Sequence, residues 1–339
     1  QDIEQELFSF CKLKHPAIVE VIGYSLTDFN GENNPVIIMK YMPNLSLANV
    51  FKNNREKLTP KRKYILILGI SLALEYIHSK NIVHRNLKPG NILIDEKFYP
   101  YVSDFSIVYI SDTELTNKLM DSDVGTVMYK APEMLNEDSY TYKVDIYAAS
   151  LIFYEIITGK KLFNGSKIVG DILNKISEGY CQDTSMINNE YIENFLKSCW
   201  VKDAKKRPRS KEIVEIVKGK QFREFFNVTE DDVNEYLSIF DQQLENNKSN
   251  EETFDPELNS NENIQNTRMI NPIHILDINN YEIIIKDDKK EILGKGYFGA
   301  VYLVKKKGTN ELYAAKRSKD EYQVDLAKKQ DIEQELFSF

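Results

Sequence analysis

Cysteine is nearly absent, with Cys11, Cys181 and Cys199 the only 3 in the chain. An odd, widely scattered set fits neither a disulfide framework nor zinc-ligand spacing, so reduced core thiols in an intracellular, cytoplasmic protein are expected. Histidine is also scarce: His15, His78, His84 and His274 lack metal-ligand spacing with each other or with any cysteine, and no metal cage is expected from them. Positive charge is short as well. With 44 Lys+Arg against 52 Asp+Glu the net charge is −8, which argues against a nucleic-acid groove and against an acidic partner. Long apolar runs are missing too: the stretch from Tyr64 to Ile77 is broken by Gly69, Ser71 and Glu75 and is too short to span a bilayer, so it is expected to be a buried helix. Nothing at the start of the chain resembles a signal peptide. It begins at Gln1 inside a helical pattern, as expected of a fragment or an excised unit.

What remains is 339 residues with 42% hydrophobic content, enough for one large core or two modest lobes and a linker. The decapeptide QDIEQELFSF stands at residues 1–10 and again at 330–339, a period of 330 − 1 = 329 residues. Self-similarity on the scale of a whole domain points to a unit cut from a tandem array, a circular permutant, or a repeated gene read through. Val36 to Met39 reads as a buried strand, followed by helical pattern over Tyr64–His78 and short strands at Ile92–Ile94 and Tyr101–Val102. Helices are expected over 144–158, 166–177, 189–200 and 210–217. Thr229 is placed to cap another, with apolar residues at Val233, Tyr236, Leu237, Phe240 and Leu244. From Glu245 to Asn266 the Asn, Glu and Ser content is that of a flexible connector. Beyond Tyr281 the pattern becomes strand-like, over 283–285, 291–293, 300–304 and 312–316, with turns at Asp287-Asp288 and Gly308-Thr309; helical pattern returns from Glu321.

Gly294, Gly296 and Gly299 form a Gly-x-Gly-x-x-Gly turn between two strands. Such glycines let backbone N–H groups approach phosphates, although the same spacing occurs in plain turns. Because a strand follows rather than a helix, it is not a dinucleotide fingerprint, and no Walker sequence is present. Lys316 ends the strand Tyr-Ala-Ala-Lys, where a solvated charge would be ordinary; beside that glycine turn it becomes a phosphate ligand. Its partner would be a helical carboxylate, supplied by both decapeptides as Glu6 and Glu335. The most specific feature is His84-Arg85-Asn86-Leu87-Lys88-Pro89-Gly90-Asn91, then Asp104-Phe105-Ser106, then Ala131-Pro132-Glu133.

That ordered set resembles the eukaryotic protein kinases, whose motifs read H-R-D-L-K-x-x-N, D-F-G and A-P-E. The resemblance covers all but the connector and implies an α+β, two-lobed fold: a small antiparallel lobe with one helix, and a large helical lobe. The chain order is permuted, running over 1–45 (end of the family's C-helix, two strands and hinge), 46–226 (large lobe), 227–280 (helix and linker) and 281–339 (small-lobe strands and C-helix). The C-helix copy expected to dock is 330–339, which carries the helical turns from Glu321. Tyr41-Met42-Pro43-Asn44 and Cys199-Trp200 look like the tyrosine-kinase-like group, whose members usually act on Ser or Thr, in agreement with Lys88. Asp145, Trp200 and Arg207 sit where the family's large lobe keeps its anchors.

By the same resemblance the partners are ATP, Mg²⁺ and a protein substrate or signalling partner. Gly294, Gly296 and Gly299 cover the phosphates, Lys316 holds the α and β phosphates with Glu335 or Glu6 behind it, and Asn91 and Asp104 hold Mg²⁺. Leu293, Val301 and Ala314, with Met39 as gatekeeper, Lys40, Met42 and Leu93, complete the nucleotide pocket. Glu133 pairs with Arg207 as a brace. Arg85 answers a phosphate on the segment from Ile107 to Lys130, where Ser111, Thr113, Thr116 and Ser122 are candidates. The pattern breaks at Asn86, which stands in place of the aspartate that takes the substrate's proton, and at Ser106, which replaces a glycine. An amide cannot accept that proton. Losing a general base costs about 10²- to 10⁴-fold, so the expectation is an ATP-binding pseudokinase; a slow Ser/Thr kinase and a scaffold unit of a tandem kinase array are the alternatives.

Overall fold

The computed structural model describes residues 13–104, 127–136, 141–166, 168–252, 275–287, 289–296 and 299–318. The chain divides into two compact units: a sheet unit that includes Glu20–Tyr41 and the chain from Gln243 onward, and a helical unit that includes Leu13–Val19 and Met42–Gln242.

The sheet unit is assembled from both halves of the sequence. β1 (Val21–Ser25) and β2 (Val36–Lys40) come early, while β5 (Tyr281–Ile283), β6 (Ile285–Lys286), β7 (Lys289–Lys290), β8 (Ile292–Gly296), β9 (Gly299–Lys306) and β10 (Leu312–Ser318) come late. The strand order is β1-β2-β10-β9-β5, with β8 also on β9, and β6 and β7 form a separate small hairpin. Antiparallel register sets Ala314 opposite both Met39 and Leu303, and Lys316 opposite both Ile37 and Val301. Side chains alternate across a sheet, so this register fixes two faces. Val36, Ile38, Val304 and Ala315 point into the unit's core with Ile278 and Tyr281. The opposite face carries Ile37, Met39, Val301, Leu303, Ala314 and Lys316. The expected turns are present, with Asp287 at φ 50° between β6 and β7 and Gly308 at φ 76° between β9 and β10.

In the helical unit, α1 (Leu47–Asn53) starts where the Ser46 hydroxyl accepts the Asn49 N–H. The Thr59 hydroxyl accepts the Arg62 N–H and Pro60 opens the first turn of α2 (Pro60–Ser79), two signals that fix its start. From Tyr64 to Ile77 this helix is buried on nearly every side, as its composition demands. A hairpin of β3 (Ile92–Ile94) and β4 (Pro100–Val102) follows. Then come α3 (Glu133–Asn136), α4 (Lys143–Thr158), α5 (Val169–Glu178), α6 (Glu190–Cys199), α7 (Ser210–Lys218), α8 (Lys220–Phe225) and α9 (Glu230–Glu252). Among the described residues the helices expected from periodicity are present, while the helical pattern expected from Glu321 lies outside them; α1 and α8, at 7 and 6 residues, are too short to show a period.

α9 begins with a reciprocal cap in which Thr229 Oγ1 accepts the Asp232 N–H and Asp232 Oδ2 accepts the Thr229 N–H. Val233 and Tyr236 are buried. The Tyr236 ring meets Tyr99 edge-on, and Phe240 meets His15. The helix runs on to Glu252, into the stretch expected to be a connector from Glu245: its Glu, Gln, Lys and Asn residues extend a helix once the capped, packed half has nucleated it. Two of the cysteines also divide. Cys199 is a core thiol, pushed up to about 12 by burial, whereas Cys181 is exposed, correcting the expectation that it too is buried; Cys11 lies outside the described residues. No described helix is long and apolar enough to cross a membrane.

Candidate functional site

Two sets of candidate residues emerge, one in each unit. In the sheet unit, β8 and β9 make the glycine hairpin, with Gly294 opposite Val301 and Gly296 opposite Gly299. Gly299 has φ 148°, a conformation side chains rarely adopt, and among the described residues a Cβ added at Gly294 would meet nothing within 4 Å. Leu293 sits at the bulge between Ile292 and Gly294 and is half-buried. Val301, Ala314, Lys316 and Met39 share the face opposite the core, so register alone gathers four of the expected nucleotide residues. Lys40 ends β2 exposed and on the other face.

The helical unit holds the rest around the loop from His84 to Asn91. Asp145, on α4 and 1% exposed, accepts the His84 N–H at 2.8 Å and the Arg85 N–H at 2.9 Å, and its Oδ2 lies 3.0 Å from His78 Nε2. Burial opposes ionisation of that carboxyl, yet the hydrogen bonds from His78 and from the His84 N–H hold it below its ordinary value. It pins Arg85 in the left-handed region at φ 64°. Burial lowers the pKa of His84, so its ring is neutral. Its Nδ1 accepts the Asn86 N–H at 3.3 Å, which leaves Nε2–H to donate to the Ser103 carbonyl at 3.0 Å.

The β3–β4 ladder extends one pair further, with the Ser103 N–H and Oγ both donating to the Asn91 carbonyl at 2.9 and 3.1 Å. This brings the residue before Asp104 against Asn91. The Asn91 amide donates through Nδ2 to the Asn86 carbonyl at 2.7 Å, so its Oδ1 is the atom left to accept or ligate. Asp104 follows at φ 56°. A carboxylate and an amide oxygen on one hairpin are donors suited to a hard divalent cation such as Mg²⁺. Leu93 is half-buried on β3, and Met42 is buried before α1. Asn86 and Lys88 are half-buried on the loop. Arg207 makes a bidentate pair with Glu133, at 2.6 and 2.8 Å, and both are nearly inaccessible. Glu6, Glu335, both decapeptides, Phe105, Ser106, Ser111, Thr113, Thr116 and Ser122 lie outside the described residues.

The protein kinase domain pattern matches residues 1–217. The chain belongs to the protein kinase family. Its kinase relatives include R831 of Acanthamoeba polyphaga mimivirus, whose name describes a serine/threonine-protein kinase/receptor: it is 31% identical over 216 residues, 63% of this chain and 13% of that protein. The cysteine-rich receptor-like protein kinase 10 of Oryza sativa subsp. japonica is 32% identical over 193 residues, 55% of this chain and 29% of its own. The drkC protein of Dictyostelium discoideum, also named as a serine/threonine-protein kinase, is 29% identical over 221 residues, 63% of this chain and 28% of its own. The matched region therefore spans a minor part of each of these kinases.

Two features of the site escaped sequence reading. Lys130 donates from Nζ to the Arg85 carbonyl at 3.0 Å, and Tyr129 donates to the buried Glu155. The available signal was a lone lysine inside the apolar run Val127-Met128-Tyr129-Lys130-Ala131.

Proposed function

We propose that this kinase domain binds ATP with Mg²⁺ and transfers phosphate weakly or not at all. The observation that carries the reading is the intact Asn86–Asn91 hydrogen bond in a loop fully braced by Asp145 and His84, with an amide at the one position where the family keeps a carboxylate. In this reading Lys316 holds the α and β phosphates under the glycine hairpin with Glu335 or Glu6 behind it; Leu293, Val301, Ala314, Met39 and Lys40 are the sheet unit's base-binding residues, and Met42 and Leu93 those of the helical unit. Asn91 and Asp104 hold the metal ion, which when bound neutralises phosphate charge. The residues themselves fix the loop, orient Asn91 and keep His84 neutral.

The chain is further proposed to be a tyrosine-kinase-like unit in permuted order and cytoplasmic. Supporting the permuted order is β2 pairing with β10 across the length of the sequence; supporting the cytoplasm are unpaired thiols at Cys181 and Cys199. A second reading, slow Ser/Thr phosphorylation, is favoured by the undisturbed loop, because phosphoryl transfer relies mostly on positioning and charge. The identical chain ends keep a scaffold role in a tandem array open to test by sequencing the full transcript. The main reading is tested by Asn86→Asp: restoring the carboxylate is expected to raise transfer from ATP to a Ser/Thr peptide library by about 10²- to 10⁴-fold, equivalent to about 2.7 to 5.5 kcal/mol of barrier. An unchanged rate would show that Asn86 is not what limits the domain.

A further inference from the structure

Lys130 stands immediately before Ala131-Pro132-Glu133 and reaches back to the catalytic loop. Its Nζ donates to the carbonyl of Arg85, the residue directly before Asn86. The charge of Lys88, two residues beyond Asn86, also reaches it, so the groups acting on Lys130 come from both sides of the position from which the acid is missing. Among the described residues, the charged groups that act on it are Lys88 and Arg85 from the loop and Asp145 from α4. Asp145, which already accepts from two backbone N–H groups and lies against His78, opposes the lowering, and burial and the two cations outweigh it. Tyr129, its neighbour, is anchored by Glu155, which fixes the backbone from which the lysine extends.

We propose that Lys130 is a catalytic residue that replaces the lost carboxylate, its neutral amine accepting the proton of the substrate hydroxyl. This rests on the reading that the domain binds ATP and retains slow transfer. As the hydroxyl oxygen bonds to the terminal phosphorus of ATP, the bond to the β-phosphate oxygen breaks and ADP leaves with that electron pair. The hydroxyl proton passes to Nζ, which then returns it to water. A lysine works as a base only where its ammonium is weakened, and here burial, then the charges of Lys88 and Arg85, push it down to about 8. A base with that pKa operates near physiological pH. The chemistry thus differs in sign from that of an aspartate base: the resting group is a cation rather than an anion, and it becomes competent only on losing a proton.

The experiment compares the wild-type chain, Lys130→Met and Lys130→Arg in transfer from Mg-ATP to a Ser/Thr peptide library, across about pH 6 to 9. Wild-type transfer is expected to climb about tenfold per pH unit and level off near 8, while both variants lose at least about tenfold and lose the inflection. Arginine keeps the charge and can still brace the Arg85 carbonyl but cannot give up its proton, so a purely structural role predicts that Lys130→Arg retains the wild-type profile. ATP titration of each variant separates this proposal from the binding reading: unchanged affinity with lost transfer supports it. Retention of rate and profile in Lys130→Arg overturns it. So does a wild-type chain that binds ATP and transfers nothing at any pH, a result that leaves nucleotide binding standing.

Discussion

The two units are built on opposite economies. The helical unit threads two long helices, α2 and α4, through its interior and ties its functional loop to them with buried ionic and polar groups. The sheet unit rests on one buried face, a cluster of Val36, Ile38, Ile278, Tyr281, Val304 and Ala315, and its central pairing joins β2 to β10 from far along the chain. Closing so long a loop costs conformational entropy that local helix contacts avoid. The difference teaches that the His84–Asn91 loop is held by an independent framework, whereas Lys316, the proposed phosphate ligand, depends on strands that meet only when distant parts of the chain are brought together. In denaturant, the sheet unit is expected to lose structure first.

The strongest way to break that contrast is to remove the deepest anchor. Arg207→Ala leaves Glu133 buried without its partner and is expected to destabilise the helical unit by about 3 to 5 kcal/mol, read as a lowered urea midpoint. If the sheet unit then outlasted the helical one, the contrast would have been inverted by a single side chain; no shift at all would mean the pair is not the anchor described.

A smaller effect tests how α9 is attached. A Cβ at Gly69 would lie 2.5 Å from both Pro100 and the Tyr236 hydroxyl, so Gly69→Ala is expected to cost about 1 to 3 kcal/mol and to loosen α9. Hydrogen exchange should show faster opening around Tyr236, with little change in the sheet unit.

A further test is a pH slope confined to the helical unit. Burial raises the Glu155 carboxyl from 4.5 to about 7, against the hydrogen bond from Tyr129. Its folded pKa is raised, so between about 4.5 and 7 the unfolded chain has released a proton that the native unit retains, and stability falls as pH rises through that window. Glu155→Gln is expected to flatten this decline; an identical slope in the variant would assign it to other groups.

Much of this organisation is written locally. The His84–Asn91 run, Asp104 and the Glu133 and Arg207 pair are sequence motifs whose residues the hairpin and helices hold in place. Periodicity located α2, α4, α6 and α7 because each is long enough to repeat its apolar face. The pairing of Ala314 with Met39 was not legible, because strand register is chosen by partners distant in sequence. Lys130 was missed for the same reason: nothing in its own neighbourhood announces that its amine lies against the carbonyl of Arg85. The full length of α9 is not legible either, since polar residues that can extend a helix resemble those of a connector once the apolar stripe ends.

The most direct test of the central claim is a calorimetric titration of the purified chain with ATP, with and without Mg²⁺, repeated on Lys316→Ala. The account predicts metal-dependent binding that the substitution abolishes. Absence of binding to the wild-type chain, or binding that Lys316→Ala leaves intact, would contradict it.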